Sequence, residues 1–207
     1  QVEICAIQMP GREERLNEKL VKDMPQLADA LAQEISVFSK KPFAFFGHSM
    51  GAIVAYETAR RLNAMGVNKP AHLFVSARAA PHLQKNTDLL RFLDDEAFVD
   101  KLQATYGAVP EAVRQNLEVR KIFLPILRAD VELLETYDET SSEPLDLPIT
   151  ALGGISDPAI SRDQLEGWQA RTNAKFTYYD FPGNHFYIDE EREAVIAAIT
   201  NDLAHSL

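Results

Sequence analysis

Gly47-His48-Ser49-Met50-Gly51 sets a serine between two glycines. The apolar run Phe43-Ala44-Phe45-Phe46 precedes it, with the composition of a buried strand. After it, Ile53, Tyr56, Ala59 and Leu62 recur at helical spacing. A Gly-x-Ser-x-Gly turn between strand and helix suits a serine nucleophile. The hydroxyl can attack a carbonyl carbon only if it stands clear on a sharply bent backbone, and flanking glycines remove side chains that would block the bend. The helix start supplies free N–H groups and a positive dipole end for a developing oxyanion. Met50, the residue after the serine, is the first such donor.

A serine nucleophile needs a base, and the base needs an acceptor that holds its tautomer. Of the five histidines, His48 lies inside the turn, where its side chain is expected to point away from the hydroxyl. His72 falls in a strand, His82 opens a long helical segment and His205 is close to the terminus. His185 follows the last predicted strand directly, in Pro182-Gly183-Asn184-His185, and is the expected base. For the acid, Asp157 stands just past a strand end in Gly153-Gly154-Ile155-Ser156-Asp157-Pro158. Asp163 suits a helix's first turn, and Asp180, inside a strand, is expected to be solvated or paired. Ser49, Asp157 and His185 are therefore the expected catalytic residues. A second oxyanion donor is not identified. Gly11, the one nearby glycine before Ser49, is a weak substitute.

The elements that must position these residues read in a clear order. Val2-Glu3-Ile4-Cys5-Ala6-Ile7 is expected as a strand, with Cys5 a buried small hydrophobe. Asp23 and Gln26 form a capping-box entry to a helix carrying Leu27, Leu31, Ile35 and Phe38, ended by Lys40-Lys41-Pro42. The Phe43 strand, the Ser49 helix ended by Gly66, and the strand His72-Leu73-Phe74-Val75-Ser76 follow. Residues 80–143 break the rhythm with helices at 94–106 and from Pro110. A longer one at 118–137 has Phe123, Leu127, Val131 and Leu134 on one stripe and a kink expected at Pro125. The strand Leu147-Pro148-Ile149-Thr150-Ala151-Leu152 resumes the pattern. A helix capped by Ser161 and Gln164 runs through Trp168 to Arg171, then come a strand at 176–181 and a helix from Asp189. Alternating strands and helices predict an α/β fold with a mostly parallel sheet flanked by helices. The helical block at 80–143 is expected over the carboxyl edge, as a lid. The chain reads as one domain, 1–207.

Composition narrows the function classes. With 46% hydrophobic and 25% charged residues the chain is an ordinary globular sequence, and its net charge of −10 argues against nucleic acid as a partner. A single cysteine gives no disulfide framework and fits a reducing, cytoplasmic compartment; no signal peptide or membrane-length apolar stretch is visible. The histidines are scattered and there is no paired-cysteine motif, phosphate loop or dinucleotide fingerprint, so no metal and no cofactor are expected.

Five stretches together resemble the type II (external, editing) thioesterases of nonribosomal peptide and polyketide synthesis, which have the α/β-hydrolase fold. They are Gln8-Met9-Pro10-Gly11-Arg12-Glu13, residues 42–51, Phe123-Leu124-Pro125-Ile126-Leu127-Arg128-Ala129-Asp130, residues 153–158, and Pro182-Gly183-Asn184-His185-Phe186. The resemblance implies the same triad, a mobile lid over an acyl channel, and acyl or peptidyl carrier proteins as partners. The substrate would be an acyl group on the carrier's phosphopantetheine arm, stalled or mis-primed, and the enzyme a monomer. The family begins with a strand and a glycine-rich loop, source of the second oxyanion donor, upstream of the segment matching residues 2–13. Those residues are absent here, and an incomplete chain is expected. A general serine esterase or lipase, or a carrier-binding module with weak catalysis, are the alternative readings.

Overall fold

The computed structural model describes residues 2–38, 41–67, 69–84, 89–139 and 141–206. Four strands, β1 (Phe45–His48), β2 (Leu73–Ser76), β3 (Ile149–Gly154) and β4 (Phe176–Phe181), form one parallel sheet in sequential order. Helix α1 (Met24–Phe38) precedes β1, and α2 (Met50–Met65) joins β1 to β2. Helices α3 (Asp95–Tyr106), α4 (Glu111–Gln115) and α5 (Leu117–Glu135) lie between β2 and β3. Helix α6 (Arg162–Glu166) and a 3-10 turn (Gly167–Arg171) lead to β4, and α7 (Tyr187–Glu190) and α8 (Arg192–Leu203) end the chain.

Side chains alternate across a strand, so each strand feeds two cores. Leu73, Val75, Ile149 and Ala151 point to the face covered by α1 and α2, where they meet Ile53, Tyr56, Leu62 and Trp168. Phe74, Leu152 and Phe181 point to the other face and pack with Tyr187, Val195 and Leu203. A polar latch holds α8 to that second face. Thr150 donates to Asp202 at 2.6 Å and so must accept from His72 Nε2, 2.8 Å away, while Nδ1 meets Ser206 at 2.8 Å. Helices α3–α5 bury Phe98, Val99, Leu102, Val113 and Leu124 against one another in a separate cluster.

Several expectations shift. Residues 2–7 are not a strand: Val2, Ile4 and Ile7 are exposed, as is Cys5. A β-prone run becomes a strand only when its backbone finds a partner edge, and this one pairs with nothing among the described residues. The outer edge of β1 is likewise unpaired among them, and Phe46 is 44% exposed. The capping boxes fare differently. Gln26 N–H donates to the Asp23 carboxylate at 2.8 Å, and the Ser161–Gln164 box is reciprocal. Helix α5 continues through Pro125, but Phe123 faces outward and Leu124 takes the buried place. The C-terminal helix divides at Glu191 into α7 and α8. His72 stands just before β2, and Lys40, expected to break α1, lies outside the described residues.

Burial pushes the His72 imidazole down from 6.5 to about 4, so the folded chain keeps it neutral. The unfolded chain therefore takes up the proton first as pH falls. Stability from this residue is complete above pH 6.5 and is lost between 6.5 and about 4. His72→Gln is expected to flatten the fall of Tm across that window. A variant whose Tm tracks the parent's in parallel contradicts the assignment.

Candidate active site

Ser49 sits between β1 and α2 with φ 53° and ψ −117°, a conformation that β-carbon-bearing residues rarely adopt. Its N–H donates to the Ser76 carbonyl at the end of β2, 2.8 Å away, and its own carbonyl accepts from Ala52 at 3.1 Å. The bend is possible because Gly47 has no side chain. A Cβ there would run into the Gly51 carbonyl and stand 2.6 Å from the Ala52 nitrogen. Gly51 departs from expectation: a Cβ on it would meet nothing within 4 Å, so only one of the two glycines is required by crowding.

The other two residues arrive on loops past β3 and β4. Those loops are tied together: Ile155 N–H donates to the Phe181 carbonyl and Ser156 N–H to the Gly183 carbonyl, both at 2.9 Å. Asp157 turns one carboxylate oxygen back to accept from the Ala159 and Ile160 N–H groups, at 2.8 and 3.3 Å. Its other oxygen is 2.8 Å from His185 Nδ1, and His185 Nε2 is 3.0 Å from Ser49 Oγ. A carboxylate only accepts, so Nδ1 carries the proton and Nε2 offers its lone pair to the serine. The Asp157 and His185 side chains are 1% and 2% exposed, so water does not compete for these bonds. The structure brings together Ser49, Asp157 and His185, three residues from distant parts of the sequence.

The remaining candidates fall elsewhere. His48 Nδ1 is 2.9 Å from Ser76 Oγ, which is 2.6 Å from Tyr187 Oη. Burial, then the neighbouring His185, pushes the His48 imidazole down to about 4, so it stays neutral beside the triad. Asp163 lies in the first turn of α6, and Asp180 pairs with Arg162 at 3.6 Å. Met50 opens α2, so its N–H has no acceptor within the helix. Gly11 does not fill the second oxyanion position, because its N–H donates to the Arg15 carbonyl at 3.0 Å. Among the described residues, no three His, Cys, Asp or Glu side chains group in a way that would hold a metal ion.

The thioesterase-domain family model matches residues 1–203. The chain belongs to the thioesterase family. It is 37% identical to the gramicidin S biosynthesis protein GrsT of Aneurinibacillus migulanus, over 98% of this chain and 79% of that one. Its fold is similar to BorB, a type II thioesterase from the borrelidin biosynthetic cluster, with TM-score 0.84, 37% identity, and 95% and 79% of the two chains covered. It is also similar to YbtT, a type II thioesterase from a yersiniabactin NRPS/PKS pathway, with TM-score 0.87, 32% identity, and 97% and 81% coverage. This thioesterase is thus a hydrolase of the α/β class that its strand and helix order predicts. No helix among its described residues is long and apolar enough to cross a membrane.

Sequence reasoning missed three residues that line the Ser49–His185 cluster: Ser76, Tyr187 and Tyr106. Ser76 ends a predicted strand beside the serine strand, so its position was the available signal. Tyr187 and Tyr106 carry none, since both act across the fold. The Tyr106 ring, at the end of α3, lies 5.1 Å from that of His185.

The strained turn makes two stability predictions. Gly47→Ala is expected to destabilise by about 1–3 kcal/mol or more, as overpacking does, while Gly51→Ala is tolerated. Ser49→Gly relieves a backbone conformation costing about 1–3 kcal/mol and is expected to raise Tm. Equal Tm values for the two alanine variants, or a lower Tm for Ser49→Gly, refute this picture in thermal unfolding.

Proposed function

We propose that this thioesterase releases acyl groups from the phosphopantetheine arm of carrier proteins, using Ser49 as nucleophile, His185 as base and Asp157 as the orienting acid. The observation that carries the reading is the unbroken relay from Asp157 through His185 to Ser49, at 2.8 and 3.0 Å, ending on the strained turn. Ser49 Oγ attacks the thioester carbonyl carbon as its proton passes to His185 Nε2. The buried Asp157 carboxylate stabilises the imidazolium, and the Met50 N–H faces the developing oxyanion. Collapse of the tetrahedral centre breaks the carbon–sulfur bond, and the imidazolium gives its proton to the leaving thiolate. Water, deprotonated by the same His185, then hydrolyses the acyl-serine and restores the enzyme.

The carrier-bound substrate is supported by the relatives named for gramicidin S, borrelidin and yersiniabactin biosynthesis. In this reading the enzyme clears stalled or mis-primed acyl groups. It works in the cytoplasm as a monomer and needs no cofactor of its own. The helical segment between β2 and β3 acts as the lid of a single domain.

Acetyl-loaded carrier protein is expected to be deacylated by the parent chain and not by Ser49→Ala. Asp157→Asn, which leaves His185 in the wrong tautomer, is expected to lower kcat by about 10⁴. Carrier thioesters should be turned over faster than oxygen esters of the same acyl group. Unchanged release by Ser49→Ala, or a preference for oxygen esters, defeats the proposal.

A further inference from the structure

We propose that Tyr106 sets the length of the acyl group that this site accepts, an inference that rests on the thioester-hydrolysis reading above. Three rings lie against the His185 imidazole: Phe186 at 5.2 Å, His48 at 5.3 Å and Tyr106 at 5.1 Å. His48 neighbours Ser49 and Phe186 neighbours His185 in the chain, so both move with the site. Tyr106 comes from α3, in the helical segment between β2 and β3. At this centroid separation, with planes inclined by 56°, the two rings are in contact and leave no room for an acyl chain between them.

Tyr106 is also fixed from behind. It packs against the apolar cluster formed by α3–α5, whose buried members include Leu102, Val109 and Val113. The chain reverses directly after it at Gly107, φ 66°, whose N–H donates to the Gln103 carbonyl at 2.8 Å. The Gln103 side chain then accepts from Val109 N–H at 3.0 Å. The phenol is thus a wall held in place within a unit that has its own core. An acyl group on Ser49 must lie next to the His185 ring, because Nε2 is 3.0 Å from Ser49 Oγ. A two-carbon acyl group needs little space beyond the reacting carbon. A chain of eight carbons competes with the Tyr106 ring for the same volume.

The test is kcat/KM for acetyl, butanoyl, hexanoyl and octanoyl thioesters of N-acetylcysteamine. Tyr106→Ala is expected to raise the octanoyl-to-acetyl ratio by about tenfold or more, the scale on which hydrophobic pockets discriminate chain length. Tyr106→Phe keeps the ring and should keep the parent ratio. Tyr106→Trp adds volume in the same place and should lower the ratio, which provides a result even if the alanine variant fails to fold. A uniform fall across the series in Tyr106→Ala, or an unchanged ratio in all variants, overturns the inference: Tyr106 would then only position His185. A parent chain inactive on every thioester would instead overturn the hydrolysis reading, and this inference with it.

Discussion

The backbone bend at Ser49 is the constraint on which the rest of the site depends. A serine at φ 53° and ψ −117° is held against its own preference. The surroundings over-determine it: β1 is paired in register to β2 through His48 and Ser76, and the Ser49 N–H is tied to the Ser76 carbonyl. On the other side, Ala52, Ile53 and Tyr56 of α2 are wholly buried against the sheet. Core burial therefore maintains the strain that presents the hydroxyl. The same bend starts a helix at Met50, so the Ser49 hydroxyl and the free Met50 N–H arise from one local feature.

The partners of Ser49 reach it because a parallel sheet gathers its carboxyl ends along one edge. Asp157 and His185 follow β3 and β4, and the backbone bonds between their loops fix the separation that the relay requires. Burial removes competing water from both side chains. It also keeps His48 neutral, so no second positive charge opposes a proton on His185. The helices between β2 and β3 have a core of their own, and among the described residues Tyr106 of α3 brings its ring against His185.

Much of this was legible in the sequence because local chemistry and element order agreed. Ser49 stood in a strand–turn–helix context, and Asp157 and His185 each followed a strand end, so the residues that the structure brings together could be named from spacing. The helix end at Gly66 and the Ser161–Gln164 capping box were equally plain. Residues 2–7 misled because β-propensity says nothing about whether a partner edge is present. Phe123 misled because an apolar stripe on a helix packed on several sides is broader than one row, and Leu124 filled the buried position. Gly51 matched a motif but not a steric need. Tyr106 and Tyr187 were invisible because their contacts span 79 and 111 residues of chain, to His185 and Ser76. No local pattern encodes such distances.

The central claim is that Ser49 is activated by His185 on a strained turn, and covalent labelling tests it most directly. The parent chain is treated with a fluorophosphonate, and the modified peptide is identified by mass spectrometry. The account predicts one label, on Ser49, forming at a rate that falls sharply in His185→Ala. Absence of labelling, or labelling of Ser49 that proceeds equally fast without His185, would contradict it.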